Sequence, residues 1–143
     1  MKVVIGSDHA GFGLKEKLKI FLLRKGVKVK DLGPEIYNKS DDYVNYAKVI
    51  SKEVSKNKTL KGILICGTGT GMCIVANRFK GVRAAVVFDN YSAIMSRRDN
   101  DANIICLRGR RFSSLLEKRL LWLWLNTSFS NLSRHKKRIK EVG

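Results

Sequence analysis

The chain has 143 residues, enough for one compact domain with a core of its own and too few for two. Its 29 Lys+Arg against 12 Asp+Glu give a formal charge of +17, which excludes an acidic surface and favours anionic partners: nucleic acid, acidic membrane or a phosphorylated ligand. A single proline, 12 glycines and 44% hydrophobic residues exclude a disordered chain, and no apolar run approaches the roughly 18 residues of a membrane span.

Strand-like and helix-like segments alternate along the sequence. "KVVIGS" (2–7) is a short β-branched run, too short an apolar stretch for a signal peptide and followed at once by Asp and His. "FGLKEKLKIFLLRKG" (12–26) places Leu14, Leu18, Phe21 and Leu22 at helical spacing and stops at Gly26. "VKVKDL" (27–32) alternates as a strand until Gly33-Pro34 breaks it. A second helix, 42–56, carries Tyr43, Tyr46, Ala47, Ile50 and Val54 along one face. "GILIC" (62–66) reads as a strand buried on both faces, and "GMCIVANRF" (71–79) as the helix after it. Two more strand–helix pairs follow: 83–89 with 91–98, then 102–109 with 113–126. The segment "LLWLWLN" (120–126) suits either a deeply packed helix or a subunit interface. A basic stretch, "SRHKKRIKEV" (133–142), forms a last helix within a C-terminal arm, 127–143, of a single domain spanning 1–143.

Five strands separated by helices predict an α/β fold, a Rossmann-like three-layer α/β/α domain on a five-stranded parallel sheet. Strands three to five, being apolar, are expected in the sheet interior. Ligands of such sheets bind at the carboxyl ends of the strands. That rule gathers "GSDHAG", "CGTGTG", "FDNY" and "LRGRR" on one rim.

The three cysteines, Cys66, Cys73 and Cys106, form no C-x-x-C pair and are odd in number, so neither a disulfide framework nor a structural zinc site is expected. A reducing cytoplasm suits them. The segment "LICGTGTGM" (64–72) invites a nucleotide-loop reading that fails on spacing. No G-x-x-x-x-G-K-[ST] string exists, and the sixth position counted from Gly67 is Met72 where a dinucleotide loop needs glycine. Cys66 instead ends a strand on the ligand rim, before glycines whose N–H groups can converge on an anion. Such a setting favours thiolate and suits a base or nucleophile. Buried, inert cysteine is the competing reading for Cys66 and the preferred one for Cys73 and Cys106. Arg134 and Arg138, four apart on a helix, can bracket one phosphate, and Arg110 falls on the rim. The aromatics fall at core positions rather than between basic residues, which favours a small phosphorylated ligand over nucleic acid.

"GSDHAG", "DY…YA", "ICGTGTGM", "ANRFKGVRAA", "SRRDNDANI" and "SRHKKRI", in this order over nearly the whole chain, resemble the type B ribose-5-phosphate isomerases and the related galactose-6-phosphate isomerase subunits. The resemblance implies a homodimer, possibly a tetramer, that uses no metal or organic cofactor and has neither nucleic acid nor membrane as partner. It implies interconversion of ribose 5-phosphate and ribulose 5-phosphate, with Cys66 taking the C2 proton. By the same resemblance the amides of Gly67, Thr68, Gly69, Thr70 and Gly71 hold the enediolate oxygen with help from Asn100, and Thr68 assists ring opening. Asp8 and His9 meet the ring hydroxyls and phosphate, and Tyr43 lines the pocket. Arg110, Arg134 and Arg138 bind the phosphate, some of them across the subunit boundary.

Two departures stand out. Asp99 occupies the place of the ring-opening histidine in "S-R-x-H-N-D", and a carboxylate, ionised at neutral pH as a class, serves as base rather than acid, so either Asp99 takes over half of ring opening or Asp8, His9 and Thr68 carry it. The same change re-polarises the far end of the pocket, so galactose 6-phosphate or allose 6-phosphate is an alternative substrate. Val44 replaces a proline after "DY", a change expected to alter loop stiffness only. A basic nucleic-acid- or anion-binding module on this fold is the alternative of a different class.

Overall fold

The computed structural model describes residues 1–143. Five strands, β1 (Lys2–Ser7), β2 (Lys28–Asp31), β3 (Lys61–Cys66), β4 (Ala84–Val86) and β5 (Ile104–Arg108), form one sheet in the order β2-β1-β3-β5-β4, all parallel. Each crossover carries a helix: α1 (Phe12–Arg24), α2 (Tyr43–Lys56), α3 (Thr70–Ala76) and α4 (Asn90–Arg98). Two more follow β5, α5 (Ser114–Asn126) and α6 (Ser133–Val142). This is the three-layer α/β/α arrangement expected from the sequence.

The helices start and stop where local chemistry directs them. Asp42 accepts the Val44 N–H at the start of α2, and Ser113 accepts the Leu116 N–H at the start of α5. Asp89 and Ser92 cap α4 reciprocally, side chain to backbone in both directions. Helix α1 ends where Gly26, at φ +73°, turns left-handed and donates its N–H to the Leu23 carbonyl.

The two sheet faces bury separate cores. Leu14, Leu18 and Leu22 of α1 and Leu120, Leu121, Trp124 and Leu125 of α5 pack on Val3, Ile5, Ile63, Ile65, Ile105 and Leu107. On the other face, Ala47, Ile50 and Val54 of α2 join Met72 and Ala76 of α3 against Val4, Leu64, Ile104 and Cys106. Alternation along β1, β3 and β5 feeds both cores, which is why these strands read as continuous apolar runs.

Two expectations need correction. The sheet interior is β1, β3 and β5; β4 is an edge strand of three partly exposed residues, paired only to β5. Its apolar run resembled a central strand because Val86 and Val87 do pack inward. Helix α3 ends at Ala76 rather than 79, because the Asn77 side chain turns to bond the carbonyls of Cys73 and Ala84. Within the chain the "LLWLWLN" segment packs as core, with Trp122 and Leu123 partly exposed, Asn126 exposed, and Trp122 edge-on to Phe21 at 6.1 Å. No helix is long and apolar enough to cross a membrane.

Helix α6 lies beyond the sheet and is tied down by His135, which is 3% exposed. Its Nδ1 meets the Ser130 hydroxyl at 2.7 Å, and the Ser130 N–H donates to the Arg98 carbonyl at the end of α4.

Candidate active site

The strand order reverses direction between β1 and β3, so a crevice opens at their carboxyl ends. Backbone hydrogen bonds continue past the strands and lock three tips together. The Asp8 N–H donates to the Ile65 carbonyl, the Gly109 N–H to the Cys66 carbonyl at 2.8 Å, and the Arg110 N–H to the Gly67 carbonyl at 3.3 Å. Gly109 passes so close to the first tip that a Cβ there would stand 2.3 Å from the Ala10 carbonyl oxygen.

Cys66 is the last residue of β3 and only 5% exposed. Its Sγ accepts the Gly69 N–H at 3.2 Å. That contact requires the chain to fold back within three residues, and Gly69 does so at φ +79°, a conformation that side chains other than glycine rarely adopt. Thr70 then opens α3, its N–H donating to the Thr68 hydroxyl at 3.3 Å. A sulfur atom therefore sits beneath a tight turn of backbone donors. The ring of Tyr43, from the first turn of α2, closes one side of this loop, 2.8 Å from where a Gly71 Cβ would stand.

Asp8 and His9 leave β1 beside the loop. Asp8 is 6% exposed and its carboxylate accepts the Gly11 N–H at 3.1 Å. Burial raises its pKa, an effect opposed by that N–H and by neighbouring His9. His9 is held by Asp41, whose Oδ1 accepts the His9 N–H at 2.9 Å and lies 2.8 Å from Nδ1. The imidazole is thereby oriented with Nε2 free of protein partners. Burial and the Asp41 carboxylate together push the Tyr46 hydroxyl up. Arg110, exposed, lays its side chain over Gly67 beside Ala10.

The crevice thus unites Asp8, His9, Tyr43, Cys66, Gly67 to Gly71 and Arg110. It does not include Asp99, Asn100, Arg134 or Arg138. Helix α4 runs back from the carboxyl end of β4, so Asp99 and Asn100 emerge at the amino end of the sheet. There Asn100, Arg138, Asn77 and Arg83 line a cavity of about 520 Å³ with the last turn of α6. Asp99 faces His135, 3.7 Å from its Nδ1, and the Asn100 carbonyl accepts from Arg83. Within one chain the expected site is therefore in two halves.

Sequence reasoning missed Asp41, the residue that orients His9. The signal was the doubled carboxylate in "SDDY": Asp42 is consumed as the cap of α2, which leaves Asp41 for another task. No three His, Cys, Asp or Glu side chains converge as a metal cage. The crevice offers N–H donors and cations, groups that match an oxygen anion.

The family model described as Ribose/Galactose Isomerase matches residues 3–142. The chain belongs to this family. It is an isomerase, similar over 141 residues to ribose-5-phosphate isomerase B of Escherichia coli, at 37% identity across 99% of this chain and 93% of the other. It is also 39% identical over 130 residues to the 4-deoxy-4-sulfo-D-erythrose isomerase of a Clostridium species, covering 91% of this chain and 82% of that one. Among solved structures, ribose-5-phosphate isomerase B of Mycoplasma genitalium with bound ribulose-5-phosphate superimposes with a TM-score of 0.95. That chain is 37% identical, the match covering 99% of this chain and 93% of the other.

Proposed function

We propose that this isomerase interconverts ribose 5-phosphate and ribulose 5-phosphate through an enediolate, with Cys66 as the base. The observation that carries the proposal is the Cys66 sulfur at the carboxyl end of β3, accepting the Gly69 N–H under a loop of further donors. Removing a proton from carbon next to a carbonyl needs a base and donors aimed at the developing oxyanion, and this loop supplies both. The bound ribulose-5-phosphate in the Mycoplasma relative supports a phosphorylated pentulose as ligand. A reducing, cytoplasmic setting in pentose phosphate metabolism fits the three free thiols.

The steps follow from the residues present. His9, oriented by Asp41, and Arg110 hold the phosphate end, so that binding energy positions the reacting carbons. Asp8, whose pKa is raised by burial, and Thr68 stand where the furanose ring opens. Cys66 then takes the C2 proton, and the Gly67–Gly71 amides receive the charge on oxygen. Return of the proton to C1 gives the ketose. Asn100, Arg134 and Arg138 act on this substrate only if a second copy brings them, and we read the working unit as a homodimer with each site built from both chains. Asp99 reaches the crevice by the same route, beside His135.

A panel of four-, five- and six-carbon aldose phosphates, assayed with wild type and Cys66→Ser, tests the reading. Ribose 5-phosphate should be the best substrate, and Cys66→Ser should lose about 10³-fold in kcat, the scale of a proton-transferring group. Turnover of none of the panel would overturn the enzyme proposal. A clear preference for six carbons would transfer it to a galactose- or allose-phosphate isomerase.

A further inference from the structure

The carboxyl end of β5 carries a cation that the mechanism above does not use. Arg108 stands directly opposite Cys66 in the β3–β5 register, and register partners project to the same face of a sheet. Its guanidinium carbon lies 3.8 Å from the centroid of the Phe112 ring, a stacking platform that limits its freedom. Its Nε is buried without an acceptor, and no carboxylate of the chain forms an ion pair with it. Arg108 is therefore a positioned guanidinium with donors to spare.

What it faces is open. With Thr68, Thr70, Val86, Phe88 and Phe112 it lines a cavity of about 360 Å³ on the β4 side of the glycine loop. Arg110 covers Gly67 on the opposite, β1 side. The glycine loop thus has a guanidinium on each side, and the phosphate role already falls to Arg110. Behind Arg108, Glu117 of α5 is fully buried with both carboxylate oxygens unpartnered. Burial drives it up to about 7, drawn back by the Arg108 charge, so near neutrality the carboxylate does not fully claim the arginine.

We propose that Arg108 binds O1 of the enediolate and is a further catalytic residue of the isomerisation, with Phe112 as its positioning residue. The proposal rests on the isomerase reading above. A sugar phosphate held at the Arg110 and His9 end runs across Cys66 and puts C1 on the β4 side, where Arg108 is. When Cys66 takes the C2 proton, the C2–H electron pair forms the C1=C2 bond and the carbonyl pair moves onto O1. The guanidinium neutralises that charge. The O2 hydroxyl proton then moves to O1, and the Cys66 thiol returns its proton to C1, leaving hydroxymethyl at C1 and a carbonyl at C2. No oxidant or second reactant is needed.

Arg108→Gln and Arg108→Lys test the assignment, each checked by thermal melting. The probes are two inhibitors: 5-phospho-D-ribonate, with a carboxylate at C1, and ribitol 5-phosphate, with a neutral C1 hydroxyl. In Arg108→Gln, kcat for ribose 5-phosphate should fall about 10²-fold, as for loss of one oxyanion donor. Ribonate affinity should fall by a similar factor and ribitol phosphate affinity by no more than about threefold. Arg108→Lys should recover part of both losses, because it keeps the charge without the fork. Equal weakening of the two inhibitors, or a kcat within about threefold of wild type, would overturn the assignment while leaving the isomerase reading intact. Absence of turnover by wild type would instead remove the isomerase reading, and this one with it. If Arg108→Gln fails to fold, Arg108→Lys decides alone: full wild-type kcat and unchanged preference for ribonate would refute a geometric role.

Discussion

At Gly71 the glycine loop and Tyr43 compete for one volume. A methyl group there would stand 2.8 Å from the tyrosine ring, yet Tyr43 is 37% exposed and its ring is free to swing outward. Gly71→Ala should therefore raise KM several-fold by displacing a pocket wall while leaving the melting temperature within about two degrees; a stability loss without a KM change would contradict this. Glu117 makes the opposite kind of prediction. Its folded-state pKa of about 7 stands above the usual carboxylate value of 4.5, so the folded state holds the extra proton between those pH values. Stability from this group is full below about pH 4.5, declines as pH rises through about 7 and is flat beyond, by at most about 3 kcal/mol. Glu117→Gln should remove that decline, read as the difference between wild type and variant in urea denaturation at pH 5 and pH 8. An equal difference at both pH values would refute it. Cys66 was legible at this scale because strand, cysteine and glycines are contiguous in sequence. Asp41, Arg108 and Glu117 were not, because their roles come from neighbours 32 and 9 positions away, or across a strand pair.

Among the elements, periodicity located every helix and strand, and local caps explain why the boundaries of α2, α4 and α5 agree closely with the sequence. The failures are tertiary. Nothing in "RAAVVFD" distinguishes an edge strand from a central one, since strand order is set by which crossover passes over which neighbour. Nor does "SRR" reveal that Arg97 fastens the end of α4. That residue, 6% exposed, donates to Asp101 Oδ1 at 2.6 Å, to the Ala102 carbonyl at 2.7 Å and to the Thr127 carbonyl at 3.3 Å. It holds α4, the approach to β5 and the exit from α5 in one joint. Arg97→Met leaves buried acceptors unpaired and should cost about 3 kcal/mol or more, measured by chemical denaturation. A loss below about 1 kcal/mol would show that water replaces those bonds.

For the whole molecule, the charge of +17 and the divided site are the governing features. A phosphorylated substrate approaches an electropositive protein, so kcat/KM should fall as ionic strength rises while kcat changes little. Salt-independent kcat/KM would assign the excess lysines to bulk surface chemistry. On the proposed assembly, mixing inactive Cys66→Ala chains with inactive Arg134→Ala/Arg138→Ala chains should restore one working site per mixed dimer; no recovery would argue against sites shared between chains. The resemblance set some of the arginines across the subunit boundary but not Asp99 or Asn100, because a motif list carries no information on which end of a sheet each motif reaches.

The placement of Asn100 and the α6 arginines at the far end of the sheet from Cys66 has a kinetic meaning. A lone chain holds both kinds of group but never presents them to the same molecule of sugar. On the proposed assembly, specific activity becomes a function of how much protein is made, rising in proportion to concentration at high dilution and levelling once chains are paired. Expression level would set not only the number of catalysts but the fraction of them that is switched on.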